Sequence, residues 1–368
     1  MEEMFRFCDD LGPAKVIHIT ETHSGLRAAL VVDNVACGPA IGGVRMAPDV
    51  STKECFRLAR AMTLKNAAAG LRHGGGKSVI IADPRMAAIE KERPLRAFAD
   101  AIADLKDYIP GPDMGTDETC MAWMHDEIGR SVGLPATLGG IPLDEIGATG
   151  LGLVVAAEVA KDFCGLDLKG ARVAVQGFGS VVQHATRYLA DKGAVLVAAA
   201  DSQGTLVDPA GLDLAALIAL KRGGGSLADH GSGRKLDRDA VVGVDCDIWI
   251  PAARPDVILA DNVGQMKAKL VVQGANIPVT SEAEAALHAR GVLVVPDFIA
   301  NAGGVICAAV EYQGGGQRQP FETIAEKIRE NTRSILETSR AGGMLPREAA
   351  NALARRRVET AMSCRRWS

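Results

Sequence analysis

The sequence lacks several features that would place it in a special class of protein. It has no apolar run approaching the roughly 20 residues that span a bilayer. Its beginning, MEEMFRFCDD, has no basic segment followed by an apolar one, as a secretory signal would. Its eight cysteines form no CxxC or CxxH pair, and its seven histidines have no HExxH spacing. We therefore expect reduced thiols, a cytoplasmic location and no metal site.

An excess of positive charge is also missing. The net charge is −4, which argues against nucleic acid or an anionic membrane as a partner and leaves small ligands open. Hydrophobic residues make up 48% and charged residues 23% of the 368 positions, the balance of a globular protein. A chain of this length exceeds one ordinary core, so two domains are expected.

The early part of the chain mixes short strands with one clear helix. Strands are expected at Ile17, 28–32 and 79–82. A helix is expected over 51–69, because Ser51 and Glu54 have the spacing of a capping box and Gly70 follows the last helical residue.

From about residue 150 strands and helices alternate regularly. Apolar runs bounded by turn residues suit a parallel sheet covered on both faces. These runs are 172–176, 194–201, 247–251, 270–274 and 292–297. The stretch 321–360 is expected to be helical, with a break around Gly342, Gly343 and Pro346.

These patterns predict an α/β protein with two domains. Residues 1–145 would form an α/β domain, joined by 331–368, whose helices pack back on it. Residues 146–330 would form a second domain of the Rossmann type.

The strongest local pattern for a nucleotide site follows the strand that ends at Gln176. Gly177, Phe178 and Gly179 come next, and then a helix expected over 182–192. Gly177 would allow the tight turn and Gly179 would let a pyrophosphate approach the backbone. The unpaired N–H groups at the start of the helix would receive its negative charge.

Further positions extend this expected cofactor site. Ser180 and Val181 lie where the helix begins, and Val182 occupies a position that is usually Gly or Ala, which predicts looser packing. Asp201 ends the next strand, 24 residues after Gly177. A carboxylate there can accept hydrogen bonds from a ribose diol and would repel a 2′-phosphate, so NAD is favoured over NADP.

Two lysines dominate the segment that carries chemistry. Lys77 follows three glycines, 74–76, and Lys65 precedes it by 12 residues. A phosphate-binding loop would need glycine at position 71, where Leu71 stands. Glycines would instead let the backbone press against a substrate. Lys77 would be a base near neutral pH if burial and a neighbouring cation, which Lys65 could supply, lower its pKa.

Several motifs in order resemble the glutamate/leucine/phenylalanine/valine dehydrogenase family. They are GPAIGGVRM at 38–46, TLKN and GGGKS within 63–78, GPDMGT at 111–116, GATG at 147–150, QGFG at 176–179, QGAN at 273–276 and NAGGV at 301–305. The resemblance covers most of the chain. It implies that 1–145 is a substrate-binding and oligomerisation domain and that 146–330 is an NAD-binding domain. It also implies a homo-oligomer that interconverts an L-amino acid with its 2-oxo acid and ammonium.

The resemblance also implies roles for single residues. Lys65 would hold the substrate α-carboxylate, and Lys77 would activate water and polarise the 2-oxo group. Asp113 would shuttle protons to and from the amino group. Asn276 would contact the nicotinamide ribose or carboxamide, and Thr149 would lie near the cofactor.

Two positions bear on the choice of substrate. Related glutamate dehydrogenases carry a lysine where Ile41 stands and a serine where Ala308 stands, and both partners of a distal carboxylate are therefore missing. Burying an unpaired charge there would cost several kcal/mol. An apolar substrate of the leucine, valine or phenylalanine class is expected. The residues expected around it are Ile41, Gly42, Gly43, Gly111, Val305 and Ala308.

Two alternatives stay open. A glutamate-specific enzyme would have to recruit its distal cation elsewhere, for example from Arg45 or Arg72. A catalytically silent NAD-binding regulatory protein would have no chemical need for Lys65, Lys77 and Asp113 together.

Overall fold

A computed structural model describes residues 5–143 and 145–365. The chain forms two compact units: one contains Met1–Pro142, Val305–Pro320 and Asn351–Ser368, and the other Leu143–Gly304 and Phe321–Ala350. These boundaries differ from the expected ones, since 305–320 join the first unit and 331–350 the second.

The first unit is built on a five-stranded sheet. Its strands are β1 Lys15–Glu21, β2 Leu26–Asn34, β3 Ala40–Ala47, β4 Gly74–Ile81 and β5 Tyr108–Pro112. Its helices include α1 Thr52–Ala68, α2 Ala88–Ala101 and α3 Glu118–Ile128. The strand order is β1-β2-β4-β3-β5, with β3 parallel to both of its neighbours. Strand β3 therefore lies between β4 and β5.

The three glycines before Lys77 belong to strand β4, not to a loop. A Cβ atom at Gly75 would lie 2.0 Å from the backbone nitrogen of Thr63 in α1, and one at Gly74 would lie 1.8 Å from the Asn34 carbonyl oxygen. The expectation that these glycines press against a substrate was wrong. They let helix α1 and the neighbouring backbone approach the sheet closely.

The second unit is built on a seven-stranded sheet in the order β12-β11-β10-β6-β7-β8-β9. Its strands are β6 Arg172–Gln176, β7 Val195–Ala200, β8 Thr205–Val207, β9 Arg234–Leu236, β10 Ile248–Pro251, β11 Leu270–Val272 and β12 Leu293–Val295. Its helices include α4 Ala148–Cys164, α5 Ser180–Asp191, α6 Leu214–Arg222, α7 Ser281–Ala289 and α8 Asp297–Ala300. The five strands from β12 to β7 are parallel, as the apolar runs predicted.

Three further helices complete the chain: α9 Gly303–Tyr312, α10 Gln319–Gly342 and α11 Pro346–Ser363. The predicted break between the last two is confirmed, because Gly343 has a left-handed backbone with φ 62°. The two-domain α/β class, with a Rossmann-like sheet and C-terminal helices, is therefore confirmed.

Helix α1 begins as its sequence predicts. The Ser51 side chain accepts a hydrogen bond from the backbone N–H of Glu54 at 3.2 Å. The Glu54 carboxylate pairs with Arg45 at 2.5 Å. This helix start therefore connects the helix to the sheet through a charged side chain.

Within the described residues no helix is long and apolar enough to cross a membrane. Over the same ranges, no cluster of three or more His, Cys, Asp or Glu side chains could hold a metal ion.

Candidate active site

The centre of the site is an ion pair formed across a strand. Lys77 lies in β4 and Asp113 directly follows β5, two strand spacings or roughly 10 Å apart. Yet Lys77 Nζ lies 2.9 Å from Asp113 Oδ1. A Cβ atom at Gly43, in the intervening strand, would lie 2.7 Å from Asp113 Cβ and 2.9 Å from Lys77 Nζ. The missing side chain of Gly43 leaves the space in which these two charges meet.

The surroundings of Lys77 lower its pKa. Its side chain is only 6% exposed. Burial lowers the pKa of Lys77 most strongly, the nearby Arg45 lowers it further, and Asp113 opposes both; the pKa lies below its usual 10.5. Lys65 was expected to supply the neighbouring cation, and Arg45, which had not been expected, has this effect on Lys77.

Arg45 also positions the carboxylate of Asp113. Its Nε lies 2.8 Å from Asp113 Oδ2, and the backbone N–H of Asp113 donates to Thr116 Oγ1 at 3.0 Å. Burial by itself would raise the pKa of Asp113, but Lys77 and Arg45 together lower it, so the carboxylate stays ionised. Sequence reasoning placed Arg45 in a family motif but gave it no role in this pair.

The buried Tyr108 holds the Gly42 carbonyl in place. The Tyr108 hydroxyl donates to the Gly42 carbonyl oxygen at 2.9 Å and lies 3.0 Å from Ser78 Oγ. Burial raises the pKa of Tyr108, which keeps the hydroxyl protonated. A Cβ atom at Gly42 would lie 1.7 Å from the Gly76 carbonyl oxygen, so Gly42 is required for strand pairing whatever its role toward a substrate.

Lys65 lies in the last turn of α1, in a half-buried position. A residue of α11, Arg357, holds the end of this helix. It donates to the carbonyl oxygens of Ala67 and Ala68 at 3.1 and 2.7 Å. They are among the last carbonyls of the helix, and the Ala67 oxygen also accepts from the Gly70 N–H at 2.9 Å. The assignment of the substrate α-carboxylate to Lys65 stays a prediction.

An aliphatic cluster lies on the same sheet. Ile41, Ile109 and Val132 are buried together, and the partly buried Ala308 packs against them. A Cβ atom at Gly111 would lie 3.0 Å from Val132 Cγ2. The structure thus brings together Ile41, Ala308 and Gly111, as expected, and adds two aliphatic residues that sequence reasoning missed. Every side chain in this cluster is apolar.

Helix α9 connects two walls of this aliphatic cluster, the one that contains Ala308 and the one that contains Val132. It carries Val305, which is half-buried, and Ala308 and Glu311. The Glu311 carboxylate accepts three backbone hydrogen bonds from the loop 133–141, two on Oε1 at 2.7 and 3.1 Å and one on Oε2 at 2.8 Å. Because Val132 directly precedes this loop, Glu311 sets the separation between the Val132 and Ala308 walls.

In the second unit, the turn after β6 has the backbone that the glycine pattern predicted. Gly177 has φ 89°, and a Cβ atom there would lie 2.8 Å from Ala253 Cβ. Gly179 caps α5, and a Cβ atom there would meet nothing within 4 Å, so its backbone is open to a ligand. Phe178 is 2% exposed, so its ring belongs to the core and only its backbone can face a cofactor.

The first turn of α5 contains Ser180, Val181 and the buried Val182. A Cβ atom at Gly150, in α4, would lie 2.7 Å from the Val181 carbonyl oxygen and 2.9 Å from the Ala185 nitrogen. The close helix packing around this turn is therefore made by Gly150. The first turn of a helix offers backbone N–H groups to an anion, and binding of a pyrophosphate at this turn stays a prediction.

Asp201 lies at the end of β7, as predicted, but its carboxylate is not open toward a ribose. It is 7% exposed and pairs with Lys221 at 3.1 Å. It also accepts from the backbone N–H groups of Leu227 at 2.8 Å and Gln203 at 2.9 Å. Burial raises the pKa of Asp201, but these donors outweigh it and the net shift is downward. The geometry assigns Asp201 to holding the loop near residue 227, which corrects the expected ribose contact.

Asn276 follows β11 and is exposed. Asn301 donates to its side-chain oxygen at 3.0 Å and to the Gly274 carbonyl oxygen at 3.2 Å, which orients the Asn276 amide nitrogen as a donor. Thr149 lies in the first turn of α4, and a Cβ atom at Gly304 would lie 3.4 Å from its Oγ1. Sequence reasoning named Asn276 and Thr149 but missed the orienting role of Asn301.

With this geometry established, the relation to known proteins is clear. Residues 139–366 match the sequence model described as Glutamate/Leucine/Phenylalanine/Valine dehydrogenase. Residues 13–130 match that of the Glu/Leu/Phe/Val dehydrogenase, dimerisation domain. The chain belongs to this family. The resemblance drawn from the motifs is confirmed, and the family's chemistry is that of amino acid dehydrogenases.

Two curated relatives in the family differ in the cofactor that they are named for. The NADP(+)-dependent glutamate dehydrogenase of Pyrobaculum calidifontis is 39% identical over 365 residues, covering 92% of this chain and 86% of that protein. The NAD-specific glutamate dehydrogenase of Staphylococcus aureus is 37% identical over 334 residues, covering 86% and 79%. Relatives of both nicotinamide specificities therefore resemble this chain.

Solved structures of the family include enzymes named for different substrates. The hetero-hexameric glutamate dehydrogenase of Thermus thermophilus, in its leucine-bound form, has a TM-score of 0.81 and 31% identity, covering 95% of this chain and 89% of that one. The L-tryptophan dehydrogenase of Nostoc punctiforme has a TM-score of 0.77 and 25% identity, covering 99% and 100%. The family name alone therefore leaves the substrate undecided.

Proposed function

We propose that this protein catalyses the reversible, NAD-dependent oxidative deamination of an apolar L-amino acid of the leucine, valine or phenylalanine class. The products would be the 2-oxo acid and ammonium. The observation that carries the proposal is the Lys77–Asp113 pair, in which the lysine is buried, in the same unit as an aliphatic cluster.

The pair supplies the acid and base that the reaction requires. Neutral Lys77 can take a proton from the water that attacks the substrate carbon, because its lowered pKa increases the fraction of free amine. Ionised Asp113, 2.9 Å away, can exchange protons with the substrate amino group. Lys65 would hold the α-carboxylate as a point charge.

A dinucleotide fits the second unit. The open Gly179 backbone and the first turn of α5 would hold the pyrophosphate, and Asn276 would contact the nicotinamide end. A bound nicotinamide would supply the hydride acceptor that the reaction requires.

The aliphatic cluster argues for an apolar side chain. A glutamate substrate would bring a second carboxylate toward Ile41, Ile109, Val132 and Ala308, which offer it neither a hydrogen bond nor a charge. Leaving a buried carboxylate unpaired costs several kcal/mol. The curated relatives are named glutamate dehydrogenases, which supports glutamate as the rival substrate. Glutamate is therefore among the amino acids to be assayed.

The choice of NAD over NADP has less support than the use of a nicotinamide dinucleotide. A carboxylate at Asp201 would disfavour a 2′-phosphate, but Lys221 lies 3.1 Å from it and offsets part of that charge. Both cofactors therefore belong in the assay.

We also propose that the protein is a homo-oligomer assembled through the first unit. Strand β1 is at the edge of its sheet, with Val16 43% exposed and Phe5 53% exposed nearby. Exposed apolar edge strands are rarely left uncovered. The match of residues 13–130 to a domain described as a dimerisation domain supports the same surface.

The test is the appearance of reduced nicotinamide when the purified protein is given NAD⁺ or NADP⁺ and each L-amino acid in turn. Turnover with leucine, valine or phenylalanine is expected. Lys77→Ala should lower it by about 10²–10⁴-fold without changing NADH binding, and the exposed Lys235→Ala serves as the control. No turnover with any amino acid would favour the silent regulatory protein, and full activity of Lys77→Ala would contradict the mechanism.

A further inference from the structure

Two residues other than glycine have a left-handed backbone in the described part of the chain, and they contact one another. Asp256 has φ 51° and Ile277 has φ 49°. The Asp256 N–H donates to the Ile277 carbonyl oxygen at 2.9 Å. Aspartate enters this region with modest strain, whereas a β-branched residue there is an outlier, because its Cβ crowds the following carbonyl.

Folding does not account for an isoleucine at position 277. Its side chain is 56% exposed, so it gains little from burial in the free protein. Glycine would adopt the same backbone without strain, and asparagine would do so with little. Ile277 therefore lowers the stability of the unit that contains it, and a different benefit must explain its presence.

A buried ionic cluster holds the strained backbone in place. The Ile277 N–H donates to Asp297 Oδ2 at 2.8 Å. Asp297 Oδ1 pairs with Arg347 Nη1 at 2.9 Å, and Arg347 Nε pairs with Glu284 at 2.7 Å. The two carboxylates are 7% and 4% exposed. The backbone at Ile277 is thus held by carboxylates that are themselves buried and paired.

The strained turn lies where an open parallel sheet binds its ligand. It follows β11, and Asp256 lies in the turn after the neighbouring β10. The same β10 turn contains Ala253, against which Gly177 packs. Ligands of such sheets bind outside the carboxyl ends of the strands. Ile277 is therefore on the edge that carries the proposed dinucleotide site, directly after Asn276.

We propose that Ile277 is an apolar contact for the bound dinucleotide at its nicotinamide end. The strained backbone points an aliphatic side chain at the ligand, and its burial is realised only in the complex. This inference rests on the proposed use of a nicotinamide dinucleotide. It predicts that stability and cofactor affinity change in opposite directions when Ile277 is replaced.

The experiment compares Ile277→Gly, Ile277→Asn and Ile277→Val in the full chain. Two quantities are measured: the thermal unfolding midpoint without ligand, and the Kd for NADH and NADPH from nicotinamide fluorescence. We expect Ile277→Gly and Ile277→Asn to raise the unfolding midpoint because they relieve backbone strain. Both should also weaken binding of the preferred cofactor by roughly tenfold, because the complex then buries less aliphatic surface. Valine keeps an apolar, β-branched side chain and should leave both values near those of the wild type.

Each other outcome overturns a defined statement. An unchanged Kd in Ile277→Gly and Ile277→Asn would show that this side chain does not touch the cofactor. A midpoint that falls together with affinity would show that Ile277 is structural. If the wild type binds neither NADH nor NADPH, the proposed dinucleotide site fails, and the inference fails with it.

Discussion

At the scale of single residues, the missing side chain of Gly43 is as important as the charges of Lys77 and Asp113. Gly43 lies in β3, between β4, which carries Lys77, and β5, which Asp113 follows. The space above Gly43 contains the contact between Lys77 and Asp113. A lysine and an aspartate two strands apart could not meet over a side chain of ordinary size.

Gly43→Ala should therefore disable the pair. Its Cβ would lie within 3 Å of both partners, so both must shift. We expect turnover to fall by about 10²-fold, as for a misplacement of about 1 Å, while NADH binding in the other unit persists. Steady-state kinetics with the preferred amino acid measures this. Gly264→Ala is the control, because a Cβ atom there meets nothing within 4 Å. Equal activity in both variants would contradict the role of Gly43.

The pH dependence of activity tests the contribution of Arg45. Arg45 lowers the pKa of Lys77 directly, and it also shares the Asp113 carboxylate that raises this pKa. Arg45→Gln removes both effects, and each change favours the protonated lysine. The rising limb of kcat/KM against pH should move to higher pH, with less activity near neutrality. Arg45→Lys should keep the limb near its original place, and a shift to lower pH in Arg45→Gln would refute the assignment.

At the scale of structural elements, the apolar cluster depends on the tie between α9 and the loop 133–141. Glu311→Gln replaces an acceptor of three hydrogen bonds by an amide that can accept on one atom only. We expect the free energy of unfolding to fall by about 1–3 kcal/mol. The ratio of kcat/KM for phenylalanine over valine should also change, because the Val132 wall loosens.

The control for this change is Glu337→Gln, an exposed glutamate in α10. Urea unfolding and kinetics with both amino acids give the two readouts. A loss of stability with an unchanged substrate ratio would limit Glu311 to a structural role.

The sequence was most informative where a local pattern determines the structure. The five parallel strands of the second unit follow from apolar runs, the turn at Gly177 from its position after a strand, and the start of α1 from Ser51. Lys77 and Asp113 were found because their motifs occur in family order, but the neighbouring cation Arg45 was not. Arg45 reaches the pair through the registration of β3 with its neighbours, which no spacing along the chain encodes.

Other features could not be predicted because distant contacts outweigh local preference. Three glycines in a row suggest a loop, yet the close approach of α1 makes them part of a strand. Asp201 has the predicted position, but Lys221 and the loop near Leu227 occupy its carboxylate. The hydrogen bonds of Glu311 span about 170 residues or more of the chain, beyond any pattern in a sequence window.

At the scale of the whole molecule, the chain distributes its function over two compact units. The ionisable pair and the aliphatic cluster belong to one, and the glycine turn and the strained Ile277 belong to the other. Each unit can therefore be tested separately, by turnover for the first and by cofactor binding for the second.

The measurement that tests the central claim most directly is kcat/KM for leucine relative to glutamate, in the wild type and in Ile41→Lys. Because an unpaired carboxylate against the aliphatic cluster costs several kcal/mol, the wild-type ratio should exceed about 10². Ile41→Lys supplies a cation and should lower the ratio by at least about tenfold, whereas Ile41→Met should preserve it. A wild-type enzyme that prefers glutamate would contradict the account of the pocket and leave only the Lys77–Asp113 chemistry in place.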